Sequence, residues 1–331
     1  TPQTVTVTGA DDSIIDGTTN STITIAVDDA NSDNDFDAVS DKTVSVDTTD
    51  DDVAGFTIVE LDGSTEVDES GTTDTFTIVL DAEPATDVVL TITSDDTGEA
   101  TVPASVTFTA ADWDTPQTIT VTGADDDLVD GTITSTITIA VDDANSSDGF
   151  DSLADQTVSV DTTDDDVAGF TIEETDAATE VDESGSTDTF TVVLDAQPTS
   201  DVVMSIASGD TSEATTTNTL TFTAADWDTP QTVTVTGADD SVIDGTVTSS
   251  IVISIIDANS DDDFDAVADQ AVSVDTTDND TPGFTIEETD AATEVDESGS
   301  TDTFTIVLDA QPTTDVVLTI TSDDTGEATV P

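Results

Sequence analysis

Asp161-Thr162-Thr163-Asp164-Asp165-Asp166-Val167-Ala168-Gly169-Phe170-Thr171-Ile172 closes one apolar-patterned unit and opens the next. Nearly the same text stands at Asp47 to Ile58 and at Asp275 to Ile286. At the seam three carboxylates are consecutive, and adjacent like charges repel strongly unless a cation lies among them. The chain supplies no such cation, since Lys42 is its only basic residue against 77 acidic ones, with no Arg and no His. The seams therefore predict metal ions at the joints between units.

Working outward from the seam, the text repeats. Trp113 and Trp227 stand 114 positions apart, as do Phe36, Phe150 and Phe264. Thr1-Pro2-Gln3-Thr4-Val5-Thr6-Val7 returns at Thr115 and again at Thr229. A period of 114 is the length of a domain rather than of a solenoid turn. Boundaries at the acidic seams predict a C-terminal half-repeat over 1–52, complete repeats over 53–166 and 167–280, and an N-terminal half-repeat over 281–331. No leader pattern opens the chain, and the expectation is a segment of a longer tandem array.

Between seams every patterned segment has period two. Phe76, Ile78 and Leu80 alternate with Thr75, Thr77 and Val79, and the pattern continues through Val88, Leu90 and Ile92. It returns in Val106 and Phe108, Ile119 and Val121, Ile137 and Ile139, and Val158 and Val160. Alternation in Val, Ile and Thr over five to eight residues signals strands, and Thr suits a pleated outer face. About seven such strands per repeat, with turns rich in Asp, Gly, Ser and Pro, predict an all-β chain of tandem immunoglobulin-like antiparallel β-sandwiches.

Composition excludes several function classes. A formal charge of −76 leaves nothing to neutralise phosphate, so nucleic acid and anionic membrane surfaces are excluded as partners. Such charge with few aromatics usually means disorder, but 34% hydrophobic residues in strict alternation argue for a fold. Without Cys there are no disulfides and no thiolate metal sites. Without His, Cys or Arg there is no conventional base, thiolate or oxyanion clamp, and the acids recur at seams rather than in one cleft. The chain is expected not to be an enzyme.

The order of features resembles the Calx-β domain, an immunoglobulin-like sandwich. The matching pieces are Gly169-Phe170-Thr171-Ile172, then Val181-Asp182-Glu183-Ser184-Gly185, then the strand leading to Thr229–Val235 with Asp239-Asp240. The last is the closing Asp-Asp-Asp-x-Ala-Gly-Phe seam. The resemblance covers essentially the whole repeat. It implies that the first turn, the third-strand loop, the fifth-to-sixth loop and the seam gather at one end of each sandwich.

Carried over residue by residue, the resemblance implies metal ligands at Glu69, Asp95, Asp96, Asp125, Asp126, Asp127, Asp130, Asp164, Asp165 and Asp166 in the first complete repeat. In the second it implies Glu183, Asp239, Asp240, Asp244, Asp278, Asn279 and Asp280. The half-repeats contribute Asp11, Asp12, Asp16, Asp50, Asp51 and Asp52 at one end of the chain and Glu297 at the other. Calcium is the fitting ion, because it takes six to eight hard oxygen ligands in flexible geometry. Asn279 lowers the charge of its seam, which is expected to be the weakest site.

Other features read more plainly. Asp142-Asp143-Ala144-Asn145-Ser146-Ser147-Asp148-Gly149-Phe150-Asp151 fails as an EF-hand, since its Gly is one place late and no Glu closes it. It is either a solvated loop or a lender of one ligand to a neighbour. Phe150 is expected to plug the end of the sandwich, and Trp113 and Trp227 to pack half-buried rather than stack on sugar. The Asn-x-Ser/Thr triplets do not recur at equivalent positions and read as chance.

Together these expectations describe a calcium-rigidified stalk region of a secreted or cell-surface fibre or adhesin. Its partners would be calcium ions and further copies of the repeat, with lateral self-assembly into fibres open to it. Two alternatives stand beside it. One is a calcium-dependent adhesion module binding glycan or protein directly, and the other is an acidic halophile surface-layer protein with incidental calcium.

Overall fold

The computed structural model describes residues 1–61, 63–176 and 178–330. The chain forms two compact units, one of Thr1–Asp126 with Gly131–Asp165 and one of Asp127–Asp130 with the chain from Asp166 onward. Nearly all regular structure is β, and the only helices among the described residues are three-residue 3-10 turns. None is long and apolar enough to cross a membrane.

The repeat within 167–280 shows why its residues form a sandwich. One sheet orders the strands Phe170–Glu174, Thr187–Leu194, Gln231–Gly237 and Ala214–Thr216. The other orders Thr179–Asp182, Gln270–Thr277, Val247–Ile255, Val202–Ser208 and Thr219–Phe222. Alternate residues of both sheets, among them Phe190, Val192, Met204, Ile206, Phe222, Val233, Val235, Ile251, Ile253 and Val274, meet in one apolar core. Each large side chain so buried contributes about 1.5–3 kcal/mol. Thr189 pairs with Thr234 and Thr191 with Thr232 on the opposite face.

The repeat closing at Asp165 has the same two sheets. Phe76, Ile78, Val88, Leu90, Ile92, Phe108, Ile119, Val121, Ile137, Ile139, Val158 and Val160 lie in its core. The alternation read from the sequence thus points inward as expected, and the all-β sandwich class holds. Two details differ from a seven-stranded antiparallel scheme. Among the described residues each complete repeat has nine strands within its two sheets, because short strands such as Ala214–Thr216 are hydrogen-bonded edges without a hydrophobic run of their own. Thr179–Asp182 pairs parallel with Gln270–Thr277, which brings the first turn beside the seam.

The seam glycine has a packing reason. A Cβ on Gly169 would lie 2.6 Å from Asp195 Oδ2, and that carboxylate accepts Thr171 Oγ1 at 2.7 Å. Gln270 Nε2 donates to the Phe170 carbonyl at 2.6 Å, tying the seam to the other sheet. Phe150 and Phe264 are fully buried, and Trp113 and Trp227 are half-buried against their cores. Phe264 closes a 3-10 turn, Asp262–Phe264, capped by the Asp261 carboxylate.

Candidate metal centre

In the 167–280 repeat the site begins at the turn after Thr179–Asp182. Asp182 Oδ1 accepts Ser184 N at 2.9 Å, and Gly185 takes a φ of 91°, which its missing Cβ permits. Asp182 N is held by Ser186 Oγ at 2.7 Å. This tight turn leaves Glu183 pointing away from solvent, 1% exposed, with its N–H donated to Thr277 O at 3.1 Å.

The loop after Gln231–Gly237 packs directly on that turn. A Cβ on Gly237 would overlap the Asp182 carbonyl oxygen, so only glycine allows the approach. Ala238 N then donates to Glu213 O at 2.8 Å, and Thr276 Oγ1 donates to the same oxygen at 3.3 Å. Glu213 sits on a turn shaped by Asp210, whose Oδ1 accepts Ser212 N at 3.0 Å. Its side chain is only 4% exposed, and its Oε2 is buried without a hydrogen-bond partner.

The seam supplies the remaining wall. Asp278 Oδ2 accepts Asp244 N at 3.0 Å and Gly245 N at 2.9 Å, while its Oδ1 accepts Asp280 N at 2.7 Å. Asn279 N reaches Glu183 Oε2 at 3.2 Å, and its side-chain amide reaches Asp239 Oδ1 at 3.3 Å. Asp280 Oδ2 is buried without a hydrogen-bond partner. One carboxylate oxygen each from Glu183, Glu213 and Asp244 lie within 4.8 Å of one another, and so do oxygens from Glu183, Asp278 and Asp280. Two triads therefore share Glu183.

The electrostatics follow from burial and crowding. Burial pushes the Glu183 carboxyl up against a partly compensating Asn279 N–H, and repulsion from Asp278, Asp240 and Asp244 adds to the rise. Glu213 is pushed up by burial and then by Asp244, Glu183, Asp210 and Asp240. Asp280 rises for the same reasons, beginning with desolvation. Asp278 moves the other way, held down by the Gly245 and Asp280 N–H groups. Every donor is oxygen and nearly all are anionic, so the donor set suits a hard divalent cation.

Of the residues expected for this repeat, Glu183, Asp244, Asp278 and Asp280 are brought together. Asp239 and Asp240 lie on the same loop but outside the two triads, and Asn279 uses its amide to hold Asp239. Glu213 was not among the expected ligands. The available signal was Thr211-Ser212-Glu213-Ala214-Thr215, which matches Thr97-Gly98-Glu99-Ala100-Thr101 and Thr325-Gly326-Glu327-Ala328-Thr329 at the same period.

The first complete repeat holds buried Glu69 and Glu99 at the corresponding places, with Glu69 N on Thr163 O at 3.1 Å and Ala124 N on Glu99 O at 2.8 Å. Asp164 Oδ2 accepts Gly131 N at 2.9 Å, and Asp125, Asp126 and Asp165 belong to the same compact unit. Asp127, Asp130 and Asp166 belong to the other unit. Asp96 shapes a turn, its Oδ1 accepting Gly98 N at 3.0 Å, whereas Asp95 Oδ1 accepts Thr136 N of the strand Thr132–Val141 at 2.6 Å. Asp96 is the counterpart of Asp210, whereas Asp95 corresponds to Gly209.

In the half-repeat over 1–52 Asp11, Asp12, Asp16, Asp50, Asp51 and Asp52 line one pocket. Asp50 there repeats the bonds of Asp278, accepting Asp16 N and Gly17 N at 3.0 and 2.9 Å. At the other end Glu297 and Glu327 line a common pocket. The loop on the far side of the sandwich contrasts with these. Burial raises the buried Asp261 carboxyl, but Thr199, Ser200 and Asp263 donate to it and bring it below its ordinary value.

No family model and no curated protein matches the chain. Among solved structures it is similar to the calcium binding domain CBD12 of CALX1.1, at 15% identity over 60% of this chain and 80% of that one, with a TM-score of 0.25. It is similar to domains 1–6 of the surface layer protein SbsC at 12% identity over 82% and 39%, with a TM-score of 0.30. An endo-fucoidan hydrolase of glycoside hydrolase family 107 aligns at 12% identity over 74% and 33%, with a TM-score of 0.24. The likeness is coarse, limited to β-sandwich architecture, and too low to carry a family or a function.

Proposed function

We propose that the chain is a calcium-rigidified structural repeat region, part of a stalk in a secreted or cell-surface fibre or adhesin. The observation that carries this reading is the pair of triads sharing Glu183, with Glu213 Oε2 and Asp280 Oδ2 buried and unpartnered beside them. Burying a carboxylate against other carboxylates costs several kcal/mol unless a cation compensates. Glu183 and Asp244 come from loops of the repeat, whereas Asp278 and Asp280 come from the segment leading to the next one. An ion held by both would fasten that segment to the sandwich.

Calcium bound only by the folded cage also stabilises the fold by mass action, and millimolar external calcium suffices even for weak sites. The domain division at the seams, the further expected ligands, and partners limited to calcium and other copies of the repeat belong to the same proposal. A halophile's solvated acidic surface does not account for carboxylates buried at one end of the sandwich. The carboxylates recur in every repeat rather than lining one cleft, which supports a structural rather than a catalytic role.

Small-angle scattering on the whole chain, in calcium and then in chelator, tests the proposal. Calcium should lengthen and sharpen the particle while circular dichroism stays unchanged. A profile that ignores calcium and follows only monovalent salt refutes it and makes the clusters screening devices.

A further inference from the structure

The loop that carries the cage ligands also touches the following repeat, and it does so three times. Ser241 O accepts Gln311 N at 2.6 Å, and Val242–Ile243 pair in parallel with Gln311–Pro312. In the same compact unit Asp127 O accepts Gln197 N at 2.6 Å, Gln197 O accepts Val129 N at 3.0 Å, and Leu128 bridges Gln197 in parallel. Val129 packs against the core of the 167–280 repeat. In the other unit Ser13 O accepts Glu83 N at 2.8 Å, Ile14–Ile15 pair with Glu83–Pro84, and Ile15 packs against the core of that repeat. Gly149 leaves room for it, since a Cβ there would lie 2.6 Å from Ile15 Cγ2.

Ser13, Asp127 and Ser241 are equivalent positions, and so are Ile15, Val129 and Ile243. Between Asp240 and Asp244 the two roles interleave. Asp240 Oδ1 accepts Val242 N at 2.7 Å on the cage side, Ser241 O faces the next repeat, and Asp244 joins the triad with Glu183 and Glu213.

We propose that this loop is a docking element for the following repeat, a two-residue parallel strand with one apolar side chain, and that closing it and filling the cage favour each other. The inference rests on the proposed metal reading for its second half. The receiving surface is the edge Gln311–Pro312 and its counterparts Gln197-Pro198 and Glu83–Pro84, so the partner it fits is another copy of this repeat. The physical reason is shared backbone. An ion on Asp244 restrains the φ and ψ of a loop whose ordering is otherwise lost entropy for docking, and docking restrains the same angles for the ion. By reciprocity each must strengthen the other by the same factor.

The test uses the full chain, with calcium alone as the probe. Hydrogen exchange is followed at the Gln311 amide, with and without calcium, and calcium affinity is measured by calorimetry for wild type, Ile243→Ser and Gln311→Pro. The second variant removes the N–H that Ser241 receives and touches no cage residue. Calcium is expected to raise Gln311 protection, and each variant to weaken binding at the second-repeat cage by about three- to tenfold, the scale of one hydrogen bond and a modest coupling. Calcium binding with unchanged Gln311 protection and unchanged variant affinities overturns this coupling and leaves the metal reading intact. A Gln311 amide that exchanges at the unprotected rate in both conditions overturns the docking itself. No calcium uptake by wild type removes the metal reading, and the Gln311 amide then reports the docking alone.

Discussion

Glu213→Gln gives the sharpest prediction because its effect changes sign with calcium. In chelator, Glu213 holds a buried, unpartnered Oε2 among Glu183 and Asp244, and leaving such a group unsatisfied costs on the order of 1–3 kcal/mol. Gln removes the charge and offers an amide N–H₂ to those carboxylates, so metal-free stability should rise by about that amount. For a repeat of this size the melting temperature should rise by about 4 °C per kcal/mol.

In calcium the same change removes a charged ligand, and an affinity loss of about tenfold is expected. At one hundred times the wild-type dissociation constant, the stabilisation by one ion should fall from about 2.7 to about 1.4 kcal/mol. The pH dependence carries the same sign. A buried carboxyl whose folded value is raised binds its proton longer when folded, so folding weakens as pH rises through that window. The advantage of Glu213→Gln in chelator should therefore be absent in acid and grow as pH rises above the ordinary Glu value. Thermal unfolding of the full chain, read from Trp227 in a Trp113→Phe background, measures all three effects. A metal-free variant less stable than wild type, or an unchanged calcium increment, would falsify the assignment of Glu213 to the cage.

Two further predictions concern the scaffold. Gly237→Ala should destabilise the second repeat by more than about 1 kcal/mol, because its Cβ meets Asp182 backbone rather than a movable side chain, and calcium affinity should drop with it; equal melting curves would show that the turn can shift. Asp226 is held below its ordinary value by Thr223 Oγ1 and Thr223 N, so its contribution is present above the unfolded value and lost as pH falls. Asp226→Ala should then be less stable than wild type at neutral pH and converge with it in acid, a comparison Trp227 fluorescence follows directly.

Much of the site was legible because repetition displays it. Glu183 follows a turn text ending in Gly185, and Asp278 and Asp280 stand in the seam itself. Glu213 was harder to see because a single Glu between Ser212 and Ala214 has no acidic neighbour in sequence; only its burial beside Glu183 marks it. Asp95 and Asp96 present the converse case, outside the triads of close carboxylate oxygens. They form a visible acidic pair, but Asp96 accepts the N–H of its own turn, as short Asp side chains do, and Asp95 accepts the Thr136 N–H of another strand.

The sequence by itself determined the period, the strands, the inward set of side chains and the acidic joints, because alternation and repetition are local properties that need no partner to be read. The tertiary structure decided the rest. The parallel pairing of Thr179–Asp182 with Gln270–Thr277 joins residues nearly a hundred positions apart, and it carries Glu183 to the seam. Glu213 comes beside Glu183 and Asp244 only because the Gly237 loop lies against the Asp182 turn and fastens to the Glu213 carbonyl. Val129 and Ile243 read as ordinary loop apolars until the neighbouring repeat is in place. Long-range packing, not composition, chooses which of 77 acids share an ion-sized space.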